Sequence, residues 1–162
     1  MAMDHLIGRG NRRVLLVAGP PEAEDSDLRM NGCRHALREP GLSKTDVDVI
    51  TGSYSAQEAL RAFREYLRSH DVPKAIFAFN DDMALAIMKE LRLTGVKVPG
   101  DTMVVGFDGI DAADYMGLTT VQMPMMELGA EAVRLAIRRI RYPTEPATHV
   151  VKPCALVVRE SC

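Results

Sequence analysis

The sequence has no long apolar stretch and little net charge, and each shortage excludes a class of protein. Its longest apolar runs fall far short of the ~20 residues that a membrane-spanning helix needs. Twenty basic and twenty-two acidic side chains leave a net charge of −2, which gives no electrostatic footprint for nucleic acid or for an anionic membrane. Residues 1–9 lack the apolar core of a signal peptide. We therefore expect a cytoplasmic protein that does not contact a membrane.

Residues that bind metals or attack substrates are few or scattered. Cys33, Cys154 and Cys162 have neither metal-binding nor redox spacing, so we interpret them as free thiols. The four histidines are dispersed, and neither a Gly-x-Ser-x-Gly motif nor a Cys/His pair occurs. No phosphate-cradling glycine loop accompanies the aspartates that could surround a magnesium ion. Those aspartates are Asp81, Asp82, Asp108, Asp111 and Asp114. We expect no metal, no cofactor and no enzymatic activity.

Strand and helix patterns alternate along the chain, which is typical of an α/β fold with a mainly parallel sheet and helices on both faces. A length of 162 residues fits a single domain. Apolar runs predict strands at residues 13–19, 47–51, 75–79, 103–107, 118–121 and 155–159. Helical periodicity predicts helices at 5–9, 27–38, 56–69, 82–94 and 126–141, with a short turn near 111–116.

Local signals mark several ends of these elements. Ser55 and Glu58 have capping-box spacing at the start of a predicted helix. Gly95 stands where a residue in the left-handed conformation ends a helix, and residues 99–101 (PGD) mark a turn into the next strand.

Polar side chains follow the third and fourth predicted strands. Asn80 and Asp81 come directly after one uncharged run, and Asp108 follows the other. Ligands of parallel sheets bind at the carboxyl ends of the strands, so we expect Asn80 and Asp108 to hydrogen-bond a small polar molecule. The alternative is purely structural: Asn80 or Asp81 caps the following helix, and Asp108 caps the turn at 109–112.

Eight segments together resemble one known family. They are HLIGRGNRRV at 5–14, RMNG at 29–32, GSYS at 52–55, AIFAFNDDMAL at 75–85, GVKVPGDTMVVGFD at 95–108, LTTV at 118–121, ELG at 127–129 and LVVRES at 156–161. In order and spacing these motifs resemble the C-terminal part of the LacI/GalR (lac-repressor) family of sugar-responsive transcription regulators. The resemblance implies a periplasmic-binding-protein-like core, in which two Rossmann-like subdomains hold an effector between them.

The resemblance also implies roles for individual residues. Arg29 matches the family arginine that reaches into the effector cleft, and its guanidinium suits paired hydroxyls or a carboxylate. Tyr54 matches an aromatic residue that packs against the ligand. The alternatives are a solvated arginine and a surface tyrosine at a strand end. Together with Asn80 and Asp108, these residues form the expected binding site for a sugar or purine-like effector.

The resemblance covers only the C-terminal subdomain of that family. It implies that the helix-turn-helix and most of the first subdomain are absent, so DNA binding does not reside here. Residues 1–12 and 123–142 are then expected to pack on the absent subdomain. With one wall of the cleft missing, Arg29 and Asp108 should lie open to solvent.

The expected assembly is a homodimer that pairs through residues 82–94 and 111–116, with Met83, Ile87 and Leu91 recurring at helical spacing. The expected function is effector sensing and dimerisation in a transcription regulator. The alternatives are a periplasmic sugar-binding protein of a transporter and a flavodoxin-like enzyme.

Overall fold

A computed structural model of the protein describes residues 1–38 and 46–162. The described strands are β1 (Val14–Ala18), β2 (Val47–Thr51), β3 (Ala75–Ala78), β4 (Met103–Asp108), β5 (Thr119–Gln122) and β6 (Ala155–Val157). The described helices are α1 (Ala2–Gly8), α2 (Glu24–Ala36), α3 (Ala56–Tyr66), α4 (Asp81–Leu93), α5 (Asp111–Tyr115) and α6 (Met125–Arg141).

One six-stranded sheet organises the fold, with the strand order β2-β1-β3-β4-β5-β6. Every pair from β2 to β5 is parallel, and β6 runs antiparallel to β5. The central strands β1 and β3 are buried along their whole length, whereas the edge strand β2 has no buried residue. Uncharged runs therefore mark the strands that are covered on both faces. The predicted α/β class with a mainly parallel sheet is confirmed.

Helices cover both faces of the sheet. The residues of β4 show which helix lies on which face, since successive side chains of a strand point to opposite faces. The ring of Phe107 in β4 faces α2, where its centroid lies 4.1 Å from the guanidinium carbon of Arg29. The preceding residue, Gly106, faces α4, since a Cβ built there would meet Asp81 and Ala84. The alternation along β4 thus places α2 and α4 on opposite sides.

The start of α3 and the end of α4 follow their local signals, whereas other ends are shifted. Helix α1 begins at Ala2 rather than at residue 5, and α3 ends at Tyr66 rather than at residue 69. The side chain of Ser55 accepts a hydrogen bond from the backbone N–H of Glu58 at 3.4 Å, and Gly95 follows α4 with φ +82°. Helix α2 begins three residues before the predicted start at Asp27, because its first turn takes in acidic residues that suit a helix N-terminus. The last strand is shorter than predicted.

The first and last helices differ in how much they bury. Helix α1 places Met3 and Leu6 in the core of this domain, with exposed fractions of 3% and 0%. Helix α6 has no buried residue, although its sequence is amphipathic. Its exposed apolar side chains are Met125, Met126, Val133, Ile137 and Ile140. That residues 1–12 and 123–142 contact a further subdomain stays a prediction.

No described helix is both long enough and apolar enough to cross a membrane.

Two leucines provide a matched test of the core. Leu91 of α4 is 1% exposed, whereas Leu28 of α2 is 64% exposed. We expect Leu91→Ala to lower the free energy of unfolding by ~2–5 kcal/mol, since it leaves a cavity. The same change at Leu28 should alter it by less than ~0.5 kcal/mol. Urea denaturation followed by circular dichroism measures both; equal losses would contradict the assigned core.

Candidate functional site

The candidate site lies at the carboxyl edge of the sheet. Strands β2, β1, β3 and β4 are neighbours in that order, so the segments that follow them meet at one edge. The segments after β2 and β3 carry Tyr54 and Asn80, and β4 ends in Asp108. The segment after β1 leads into α2, which carries Arg29. The structure therefore brings together the four residues that the sequence selected.

Arg29 is held among several partners and is not open to solvent. Its Nη1 donates to the carbonyl oxygen of Phe79 at 2.6 Å and to the hydroxyl of Tyr54 at 3.2 Å. Its Nη2 lies 3.3 Å from a carboxylate oxygen of Asp25, and the side chain is 17% exposed. The guanidinium also lies over the ring of Phe107. The expectation of an open Arg29 was wrong, because residues of its own domain cover it.

Tyr54 packs into the sheet edge. Its φ is +57°, in the left-handed region that side chains other than glycine rarely adopt. A Cβ built on Gly19 would overlap the Tyr54 ring, so only glycine at the end of β1 admits this ring. Burial raises the pKa of the Tyr54 hydroxyl. The ring is thus half-buried against the core and serves as a partner for Arg29.

Asn80 has a capping role. Its Oδ1 accepts the backbone N–H of Met83 at 2.9 Å, which caps α4. Its Nδ2 donates to the carbonyl of Tyr54 at 3.2 Å. Asn80 is therefore the N-cap, as the structural alternative required, and it also ties the segment after β2 to the start of α4. Contact with a ligand stays a prediction for this residue.

Asp108 is strained and half-buried, which corrects the expectation that it lies open. Its φ is +123°. Burial and the nearby charge of Asp81 raise its pKa to about 6, while the charge of Arg29 acts in the opposite direction. Helix α5 begins after Ile110 and has no side-chain cap, so the structure does not support the capping alternative for Asp108. The backbone N–H of Asp81, at the start of α4, also favours the ionised form of the Asp108 carboxyl group.

Three further residues belong to this site and were missed in the sequence. Asp25 stands four residues before Arg29, the helical spacing of an ion pair. Phe107 stacks on the guanidinium, and alternation from the buried strand could have indicated its face. Asp81 is fully buried, and its adjacency to the capping Asn80 concealed a separate role.

A cavity of about 510 Å³ lies beside this site rather than in it, and it is bounded by α1, α2 and the sheet. Arg29 and Phe107 line it, whereas Tyr54, Asn80 and Asp108 do not. We therefore assign the candidate site to the polar strand ends. Among residues 1–38 and 46–162, no group of three or more His, Cys, Asp or Glu side chains is placed to share a metal ion.

Comparison with known proteins shows the family to which the chain belongs. The family described as "Periplasmic binding protein-like domain" matches residues 3–162. The HTH-type transcriptional repressor PurR of Photobacterium profundum is 31% identical over 163 residues, which covers 99% of this chain and 49% of PurR. The ribose operon repressor of Escherichia coli (strain K12) is 34% identical over 146 residues, 89% of this chain and 44% of that repressor.

A solved structure shows the same fold. The complex of the transcriptional regulator CelR with cellobiose has a TM-score of 0.88 and 34% identity, and the match covers 99% of this chain and 50% of CelR. The fold is an α/β domain with a mainly parallel sheet, and its polar side chains gather at the carboxyl ends of the strands. The chain belongs to the family of periplasmic binding protein-like domains, and its relatives are regulators of the LacI type. It spans about half the length of the curated relatives it matches.

The raised pKa of the Asp108 carboxyl group predicts a stability that depends on pH. Because the pKa of Asp108 rises from 3.8 to about 6 on folding, the ionised group costs stability above pH 6, and this cost vanishes as the pH falls toward 4. We expect Asp108→Asn to raise the free energy of unfolding at pH 8 by about 1–2 kcal/mol, allowing for solvent screening. The gain should be lost near pH 4.

Denaturation with urea at both pH values measures this difference. Asp111→Asn, an exposed aspartate of the following helix, is the matched control and should change stability little at either pH. A gain for Asp108→Asn that is equal at both pH values would contradict the assignment of the raised pKa.

Proposed function

We propose that this chain is the effector-sensing and dimerisation region of a LacI-type transcription regulator. The clustering of Arg29, Tyr54, Asn80 and Asp108 at one edge of the sheet carries the proposal. Relatives that are named as repressors favour this role over that of a transport protein. Contact with DNA would be made by a segment outside this chain, since a net charge of −2 gives the chain no overall electrostatic attraction to DNA.

The chemistry of the site suits a small polyhydroxylated effector or a purine-like ring. A guanidinium donates a rigid fork of hydrogen bonds, and an ionised carboxylate accepts bonds from two hydroxyls or from a ring N–H. The aromatic rings of Tyr54 and Phe107 offer faces for the C–H surface of a sugar or for a base. Names and complexes of relatives point to ribose and cellobiose, so a sugar is the preferred class.

Effector binding would couple to DNA binding through closure of a second wall over this edge. Helix α6 supports such a wall, because its apolar side chains are exposed in this domain. We propose that residues 123–142, with residues 1–12, pack on the other half of a longer protein. Charged hydrogen bonds in a closed cleft contribute ~1.5–3 kcal/mol each, and coupling between sites amounts to ~1–3 kcal/mol.

The effector proposal predicts weak but localised binding to this chain. We expect titration with D-ribose and cellobiose to shift the backbone amide resonances of Tyr54, Asn80 and Asp108, with a dissociation constant of roughly 1 mM or weaker because one wall is missing. Arg29→Lys keeps the charge but loses the planar fork, and it should weaken binding by about tenfold or more. Nuclear magnetic resonance titration of the labelled chain measures both effects.

The matched control is Arg34→Lys on the same helix. Arg34 donates a solvent-exposed hydrogen bond to Asn31 and contacts none of the four site residues in that bond. Sugar binding should therefore not change in Arg34→Lys. If Arg29→Lys binds the same sugar as tightly as the unchanged chain, the site is wrongly assigned. Adenine serves as the purine arm of the titration, and shifts at these same residues with adenine alone would replace the sugar class by a base.

We propose that the dimer forms through exposed side chains of residues 82–94 and 111–116, away from the candidate effector site. Met83, Ile87 and Leu91 are buried in the core and cannot form it, which corrects part of the expected interface. Exposed apolar side chains remain on the same two segments: Leu93 is 74% exposed, Tyr115 is 86% exposed and Met116 is 42% exposed. We propose that these side chains form one apolar patch, which is typical of an interface between subunits.

Sedimentation velocity tests the dimer at tens of micromolar protein. We expect the unchanged chain to sediment as a dimer and Tyr115→Arg to shift the population to monomer, because the arginine charge is costly in an apolar interface. Val151→Arg, at a residue 77% exposed outside these segments, should leave the dimer intact. A monomer in the unchanged chain would contradict the proposal.

A further inference from the structure

Asp81 is a fully buried carboxylate that joins three separate parts of the fold. It is the first residue of α4 and has an exposed fraction of 0%. Its Oδ2 accepts the backbone N–H groups of Gly109 at 2.8 Å and Ile110 at 3.0 Å. Its Oδ1 accepts the hydroxyl of Thr120 in β5 at 2.6 Å. One side chain thus connects the start of α4, the turn after β4 and the middle of β5.

The turn after β4 is the segment that contains the strained Asp108. Both Asp108 and Gly109 have positive φ, +123° and +79°. The carbonyl oxygen of Asp108 accepts the N–H of Met123 at 3.0 Å, and the next two N–H groups both point to Asp81. A residue in a sparsely populated conformation persists only where its surroundings fix it. Here the backbone is fixed on both sides of Asp108.

The space for this carboxylate is built into the sheet. A Cβ built on Gly106 would overlap Oδ1 of Asp81, so glycine at this position of β4 admits the carboxyl group. Gly106 pairs with Thr120 of β5 in the sheet register, which sets the hydroxyl beside the same oxygen. The Asn-Asp and Gly-Phe-Asp segments of the sequence are therefore coupled through space.

We propose that Asp81 is the positioning residue of the candidate site: it holds the turn after β4 so that Asp108 presents its carboxyl group to the effector. A carboxylate fits this task because both oxygens only accept, and the three groups that meet it are all donors. The N-terminus of α4 adds favourable electrostatics for a negative charge. The inference rests on the proposed function only in assigning the effector contact to Asp108.

The test compares Asp81→Asn with Asp82→Asn in the 162-residue chain. Asp82 is the adjacent, exposed residue, and its charge also acts on Asp108, so the control removes one nearby charge but none of the three hydrogen bonds. Hydrogen exchange at the amides of Gly109 and Ile110 reports on the turn, and titration with D-ribose and cellobiose reports on binding. We expect Asp81→Asn to speed exchange at these two amides about tenfold and to weaken sugar binding to a similar extent.

Exchange at Val105, within β4, should stay unchanged in both variants, which separates a local effect from a loss of the whole fold. Asp82→Asn should alter neither exchange nor binding. If Asp81→Asn leaves the two amides as protected as before, or if Asp82→Asn weakens binding equally, the positioning role is wrong.

Two more conservative variants test the positioning role if Asp81→Asn does not fold. Thr120→Val keeps the shape of the side chain but removes the donor, whereas Thr120→Ser keeps the hydroxyl. We expect faster exchange at Gly109 and Ile110 in Thr120→Val and protection restored in Thr120→Ser; identical exchange in the two would overturn the proposal. If neither sugar binds the unchanged chain, the proposed function fails for these sugars, while the exchange rates still decide the role of Asp81.

Discussion

The candidate site depends on the contacts that the guanidinium of Arg29 makes. It donates to the carbonyl of Phe79 after β3 and to the hydroxyl of Tyr54 after β2, and it lies over the ring of Phe107 in β4. The carboxyl ends of β2, β3 and β4 are thereby joined by one rigid, planar group, which is carried on the helix that follows β1. Because Asp25 also pairs with this guanidinium, an effector would exchange partners with groups of the protein rather than meet a free charge.

Two aspartates near this arginine show how the fold uses burial in opposite ways. Asp81 is completely enclosed, and three donors satisfy its oxygens. Asp108 is only half-buried, and its pKa is raised to about 6. A buried acceptor that is fully satisfied gives rigidity. The ionised carboxylate of Asp108 is instead disfavoured by burial and by the charge of Asp81, which costs stability. We propose that a donor from an effector offsets this cost.

The domain also carries apolar surface that its own core does not cover. Helix α6 has no buried residue, and Tyr115 is 86% exposed on α5. These surfaces lie on separate helices, so the two contacts proposed above, one with a second copy and one with the other half of a longer protein, would not compete for the same side chains.

The alternation of strands and helices, the buried central strands and the sheet edge that carries Asn80 and Asp108 could all be predicted from the sequence, because periodicity and uncharged runs are local properties. The sequence left open whether Asn80 or Asp81 caps α4, and it predicted an open Arg29. The folded structure shows that Asn80 is the cap, that Asp81 reaches the turn at Gly109 and that Arg29 is covered. These contacts could not be predicted, because strand order and register bring distant donors and acceptors within hydrogen-bonding distance, and no short stretch of the chain encodes either one.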